Sequence, residues 1–203
     1  KNSNVIKLLN VIKKYYPDLT SNNLNRESVW KELFQERKFN YGVMKNLIFE
    51  LQKLSEKFLH LQNYEENKFE QELNLLRKLI NRNLFQLFEK NLKSFKSAVN
   101  SSPIDPDHFY YKYLSEAAEQ TYLSLHYKTK DVNFCRPEIM NESLMAFFFS
   151  NFFEKNYNSF HDSMLYKKSY DKQTIDIVFK SFERNPVSNN AFVRTNYYAL
   201  KTL

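Results

Sequence analysis

Apolar residues recur at steps of three and four along most of the chain, the spacing that places side chains on one face of an α-helix. In the first third this spacing predicts three helices, over Asn4–Tyr16, Arg26–Gln35 and Tyr41–Leu61, followed by a turn at Asn63–Asn67. The third helix has the longest regular pattern and resembles a seam packed against neighbouring helices along its length. The positions of that seam are Met44, Leu47, Leu51, Leu54, Phe58 and Leu61.

Two further apolar stripes predict helices over residues 69–80 and 85–99, joined as a helix hairpin at Asn81–Asn83. Asparagine suits this junction because it tolerates the left-handed backbone of a helix end better than most residues. The stretch Asn100–Pro106 contains two prolines and two serines, and it is the clearest linker in the chain. Asp105 is placed to cap a helix beginning at Pro106. We therefore expect a boundary here, between an N-terminal helical unit, 1–102, and a C-terminal helical array, 103–203.

The C-terminal half continues the helical pattern. Apolar stripes predict four more helices, over 109–125, from Pro137 onward, over 172–182 and over 191–203. We expect a break in the helical pattern at 128–136. Several helices with short connections are typical of an all-α protein, built as an antiparallel helix bundle or a helical-repeat array.

The composition supports this fold class, because the chain has 1 glycine in 203 residues. Glycine supplies positive φ angles in tight β-hairpin turns and lets phosphate-binding loops approach a ligand closely. Its scarcity disfavours dinucleotide-binding folds, phosphate-binding loops and β-rich folds, and it leaves helices joined by asparagine and proline.

One set of residues resembles a known group of proteins. The pattern Ser28–Phe34, Tyr41, Met44–Leu54 and Phe58-Leu59 resembles the N-terminal region of uncharacterised helical proteins from Bacteroidetes bacteria, over about residues 5–100. The resemblance implies an intracellular, all-helical protein whose second half contains helical repeats. The pairing of the later helices resembles repeat proteins of the tetratricopeptide type.

The net charge of +7 is concentrated in the N-terminal third, where residues 1–62 contain 11 basic and 6 acidic side chains. Residues 26–61 therefore suggest a DNA-binding unit similar to a helix-turn-helix. Its outward candidates, which would contact phosphates and base edges, are Tyr41, Lys45, Asn46, Phe49 and Lys53. Glu50 and Glu56 on the same helix favour the alternative, a solvated lysine-rich face.

A second candidate surface is aromatic. Five phenylalanines follow one another closely in the helix that begins at Pro137: Phe147, Phe148, Phe149, Phe152 and Phe153. Rings on more than one helix face are typical of a helix surrounded by others. The alternative is that some of them form a groove for a protein or peptide partner. If Phe148 is buried, we expect Phe148→Ala to destabilise the fold by a few kcal/mol.

Catalytic and metal chemistry has little support in the sequence. Only Asp105 and His108 approach the acid–histidine spacing of helical metal sites, and a helix cap beside a packed histidine explains them better. Cys135 is the single cysteine, so a disulfide-stapled secreted scaffold is excluded and a reducing compartment, the cytoplasm, is expected. Paired carboxylates such as Glu65/Glu66 and Glu116/Glu119 are typical of solvated helix surfaces.

No apolar stretch approaches the roughly 20 residues that span a bilayer, so we expect no membrane partner. Together these observations favour a non-catalytic protein that binds a protein or peptide through its helical surfaces, without a metal or cofactor. DNA binding through residues 26–61 is the alternative.

Overall fold

A computed structural model describes residues 3–17, 19–22, 24–126, 137–167 and 171–202. Over these residues the protein is all-α, with nine α-helices, one 3₁₀ turn and no strand, so the predicted fold class is confirmed. The predicted break at 128–136, with Cys135, lies outside the described residues. The helices are α1 (Ser3–Lys13), α2 (Arg26–Leu33), α3 (Tyr41–Glu66), α4 (Lys68–Asn81), α5 (Phe85–Asn100), α6 (Pro106–His126), α7 (Pro137–Tyr166), α8 (Lys172–Glu183) and α9 (Ala191–Lys201).

The chain divides into two compact units, residues 1–68 and 69–203, rather than at the predicted boundary between 102 and 103. The boundary moves because α5 and α6, on either side of the proline-serine stretch, share one core with α4. Asp105 nevertheless caps α6 as predicted, since its Oδ1 accepts a hydrogen bond from the His108 backbone N at 2.7 Å. The stretch is thus a connection inside a unit.

The N-terminal unit is organised around α1, which packs against both α2 and α3. Asparagine side chains start the two other helices, because Asn25 Oδ1 accepts from the Ser28 N at 2.9 Å and Asn40 Oδ1 accepts from the Val43 N at 3.0 Å. The core of this unit consists of Val5, Leu8, Val11, Val29, Trp30, Met44 and Leu47.

The end of α3 differs from the sequence expectation. The turn predicted at Asn63–Asn67 is wrong, because α3 remains helical through Glu66 and Asn67 alone is the cap. A hydrogen bond from Gln62 Nε2 to Glu66 Oε1, 2.9 Å long, supports this last turn at the favourable i, i+4 spacing. As a result α3 is 26 residues long.

In the C-terminal unit, α4 and α5 meet at Asn83, whose φ of 55° is the left-handed backbone predicted for this junction. The Leu84 N donates to the Leu79 carbonyl at 3.0 Å across the turn. Leu76 of α4 and Phe88 of α5 are buried in one core with Tyr122 of α6. The two predicted helices and the left-handed junction between them are therefore present.

A second core in this unit is built around the aromatic stretch of α7. Phe149 and Phe153 are both 0% exposed and surrounded by rings of α8 and α9, with Phe182 at 5.1 Å from each, centroid to centroid. Phe147 and Phe152 are half-buried against the same core. Phe148 lies at the edge of this core and is 45% exposed, with its ring 5.2 Å from that of Phe149 and 5.9 Å from that of Phe152, centroid to centroid.

The large destabilisation expected for Phe148→Ala depended on a buried ring, and that condition is not met at Phe148. Burial of the aromatic stretch between helices holds for Phe149 and Phe153. Phe149 and Phe153 are inaccessible to a partner, since their faces contact the helices that enclose them. Of the five rings, Phe148 is the one that is about half exposed.

We predict that Phe153→Ala lowers the free energy of unfolding by about 3–5 kcal/mol, the usual cost of removing a buried phenylalanine side chain. Phe148→Ala on the same helix is the matched control, and its half-exposed ring should cost less than about 1 kcal/mol. Urea unfolding followed by circular dichroism measures both. Equal losses for the two variants would contradict the burial pattern.

Candidate interaction site

The apolar seam of α3 is covered over only part of its length. Met44 and Leu47 are 2% and 4% exposed, whereas Leu54, Phe58 and Leu61 are 53%, 64% and 52% exposed. The sequence predicted a helix packed against neighbours throughout. Burial ends halfway because α1, its main neighbour in this unit, is only 11 residues long. The second half of α3 therefore presents large apolar side chains to solvent.

A groove of about 570 Å³ lies beside this transition, between the start of α1 and the middle of α3. Its volume falls within the range of about 300–1,000 Å³ that is usual for ligand sites. The apolar lining consists of Val5 and Ile6 from α1 and Phe49 and Leu54 from α3. Three charged side chains complete it: Glu50, Lys53 and Lys57.

The apolar surface continues beyond the groove on both helices. On α1, Leu9 follows Val5 and Ile6 on the same side by helical spacing; on α3, Leu61 and Tyr64 follow Lys57 in the same way. We call the whole surface the groove face. It comprises Ile6, Leu9, Phe49, Leu54, Leu61 and Tyr64, which are 45–56% exposed.

Sequence reasoning missed two members of the groove face. Ile6 and Leu9 of α1 are 53% and 48% exposed, and neither was a candidate from the sequence. The sequence did contain a signal for Ile6. It lies outside the main apolar stripe of a short helix, so α1 has apolar side chains on a second side. Which of the two sides is covered cannot be read from α1 alone.

The charged rim of the groove is held in place by local contacts. Lys53 Nζ is 2.9 Å from Glu56 Oε2 and 5.6 Å from the centroid of the Phe49 ring. The hydrogen bonds from Lys53 and Gln52 lower the pKa of the Glu56 carboxyl. Because this ion pair is exposed, it adds little to stability.

The five residues predicted to contact nucleic acid all lie on α3, and all five are exposed. Tyr41, Lys45, Phe49 and Lys53 follow one another at four-residue steps, so they form a stripe that turns slowly around α3. Arg26 of α2 lies over the Tyr41 ring, 5.2 Å from its centroid. Phe49 and Lys53 belong to the groove as well, so the predicted nucleic-acid stripe and the groove overlap.

The packing of α2 and α3 differs from that of a helix-turn-helix. In that motif the two helices pair through a short turn and the first supports the second. Here both helices pack mainly on α1. The intervening turn is held by Trp30, whose Nε1 donates to the Arg37 carbonyl at 2.9 Å.

The acid–histidine pair of the second unit has a structural explanation. Ser102 Oγ lies 3.0 Å from His108 Nδ1 and donates to the Val99 carbonyl, which closes the connection between α5 and α6. Burial lowers the pKa of His108, and the charge of Lys112 adds to this effect. The predicted helix cap beside a packed histidine is confirmed.

The described ranges of the chain contain no cluster of three or more His, Cys, Asp or Glu side chains arranged to hold a metal ion. Within them, no helix combines the length and apolarity needed to cross a bilayer.

Comparisons with known proteins do not add a function. No protein-family model, curated protein or solved structure matches the chain. The geometry of the groove face is therefore the basis for a functional proposal.

We predict that Leu54→Ala changes the free energy of unfolding by less than about 1 kcal/mol, because more than half of the side chain is already in water. Leu47→Ala, two turns earlier on the same helix, should cost about 2–5 kcal/mol because it opens a cavity in the core. Thermal or urea unfolding distinguishes them. A large loss for Leu54→Ala would show that the groove face is part of the folding core instead of a free surface.

Proposed function

We propose that the protein is a non-catalytic binding module whose working surface is the groove face of α1 and α3. The observation that carries the proposal is the exposure of consecutive large apolar side chains on an ordered helix. Monomeric soluble proteins rarely expose such contiguous apolar surface unless it binds something. A helical partner fits best, since an apolar groove flanked by charges suits the apolar face of an amphipathic helix.

The roles of the titratable groups with shifted pKa values support a non-catalytic function. Hydrogen bonds from Lys201 and Tyr197 lower the pKa of the Glu183 carboxyl, and burial raises the pKa of the Tyr197 hydroxyl. Lys201 Nζ lies 2.8 Å from Glu183 Oε1, so the cluster ties the end of α8 to α9. Hydrogen bonds and burial thus account for the shifts at Glu183 and Tyr197 without invoking a reaction.

The same proposal places the protein in a reducing compartment such as the cytoplasm. Its support is the presence of 1 cysteine in 203 residues. Such a chain has no internal disulfide to protect and obtains its stability from apolar packing.

Site-specific photo-crosslinking in the native cell tests the proposal. Phe49 and Phe148 are exposed to similar extents, 56% and 45%, so either position can accommodate the larger side chain of the photoreactive residue p-benzoylphenylalanine. We expect illumination to join the Phe49 variant to a protein, because that ring lines the groove. The Phe148 variant is the control, and equal or absent adducts at both positions would contradict the proposal.

As a second candidate, we propose that the same unit binds duplex DNA through α3. One observation that favours it is the exposed stripe formed by Tyr41, Lys45, Phe49 and Lys53. The other is the charge of residues 1–68, which contain 12 basic and 8 acidic side chains. Lysines would neutralise phosphates, and Asn46 would reach a base edge. Glu50, within the groove, and Glu56 oppose this by repelling phosphates.

A mobility-shift assay with duplex DNA at low and moderate salt tests the second candidate. Binding should weaken steeply as salt rises, because phosphate contacts release counterions. Lys45→Ala should weaken DNA binding relative to the unmodified chain. It should also reduce the slope of log affinity against log salt concentration by about one, the contribution of one phosphate contact. Lys31→Ala, on α2 and outside the stripe, is the control. Absence of any salt-sensitive shift would remove DNA binding from consideration.

A further inference from the structure

The charges along the groove identify the kind of partner that suits it. Glu50, Lys53 and Lys57 follow one another along the groove side of α3. A uniformly acidic partner would be repelled at Glu50, and a uniformly basic partner would be repelled at the two lysines. Since Lys53 is already paired with Glu56 in its own helix, the complementary surface needs a cation opposite Glu50 and an anion opposite Lys57.

The same helix presents that complement when it runs antiparallel to itself. Glu50 lies three residues before Lys53, and Lys57 lies three residues after Leu54. A two-fold axis between Lys53 and Leu54 therefore sets Glu50 opposite Lys57 of a second copy, and Lys57 opposite the second copy's Glu50. Interfaces in symmetric dimers are self-complementary in this way, so each favourable contact occurs twice.

We infer that the groove face pairs with the same face of a second copy of this chain, with the two α3 helices antiparallel. The inference rests on the proposed function and names its partner. Each α1 flanks its own α3, so pairing produces a four-helix layer in which Ile6 and Leu9 help to cover the α3 of the other copy. The aliphatic stem of Lys53 packs over Leu54 of the second copy while its ammonium group stays near Glu56.

The apolar area is sufficient for a modest dimer. Six side chains of the groove face are about half exposed. Covering them removes roughly 500 Å² from water on each chain, or about 1,000 Å² in the pair, which reaches the lower bound for specific protein interfaces. We therefore expect a reversible dimer with a dissociation constant in the micromolar range.

Sedimentation equilibrium of the full chain over a range of concentrations measures the association. Glu50→Lys and Lys57→Glu should each weaken the dimer by about tenfold or more, since either change turns two attractive pairs into repulsive ones. Lys45→Glu makes the same change of charge on α3 outside the groove, and it should leave the dimer intact. Circular dichroism confirms that the variants fold.

Restoration of pairing is the decisive result. An equimolar mixture of Glu50→Lys and Lys57→Glu chains should form a heterodimer, because both pairs regain opposite charges. The double variant should likewise recover the homodimer. A monomeric wild-type chain, an unrestored mixture, or equal weakening by Lys45→Glu would each overturn the inference. A photo-crosslink from Phe49 to a different protein, with a monomeric purified chain, would leave the proposed function standing and overturn the dimer alone.

Discussion

The N-terminal unit depends on a mismatch of helix lengths. An α-helix rises about 1.5 Å per residue, so the 11 residues of α1 span about 16 Å and the 26 residues of α3 span about 39 Å. The apolar seam of α3 therefore continues past the end of the helix that covers it. Everything proposed for this unit follows from that difference, because the uncovered turns and the groove beside them are its direct product.

The C-terminal unit solves the same burial problem differently. There α7 packs against both α6 and α9, and its inward rings are enclosed by α8 and α9. The small side chains of Ala146 and Ser150 are buried in the same helix, and Ser150 satisfies its hydroxyl by donating to the Ala146 carbonyl at 2.7 Å. Such residues let helices approach closely, so this unit places its largest side chains in its interior. The aromatic stretch is mainly a core, which is the interpretation that its rings on several helix faces favoured.

Local features of the fold were predictable because they depend on residues within a few positions of each other. The caps at Asn25, Asn40 and Asp105 and the left-handed Asn83 arise from side chains that satisfy or reshape the adjacent backbone. The scarcity of glycine pointed correctly to helices. By contrast, the extension of α3 through Glu66 and the shared core across residues 101–105 depend on packing, and the turn-forming composition there was misleading.

The sequence by itself determined that the chain is helical, where most helices begin, and that α3 has an apolar seam with charges beside it. Only the tertiary structure decided that Leu47 is covered and Leu54 is not, that Phe149 is enclosed while Phe148 is open, and that Ile6 joins Phe49 in one groove. The physical reason is that the spacing of apolar residues along a helix shows only which face of that helix is apolar. Which neighbour covers that face, and for how many turns, is set by residues distant in the chain.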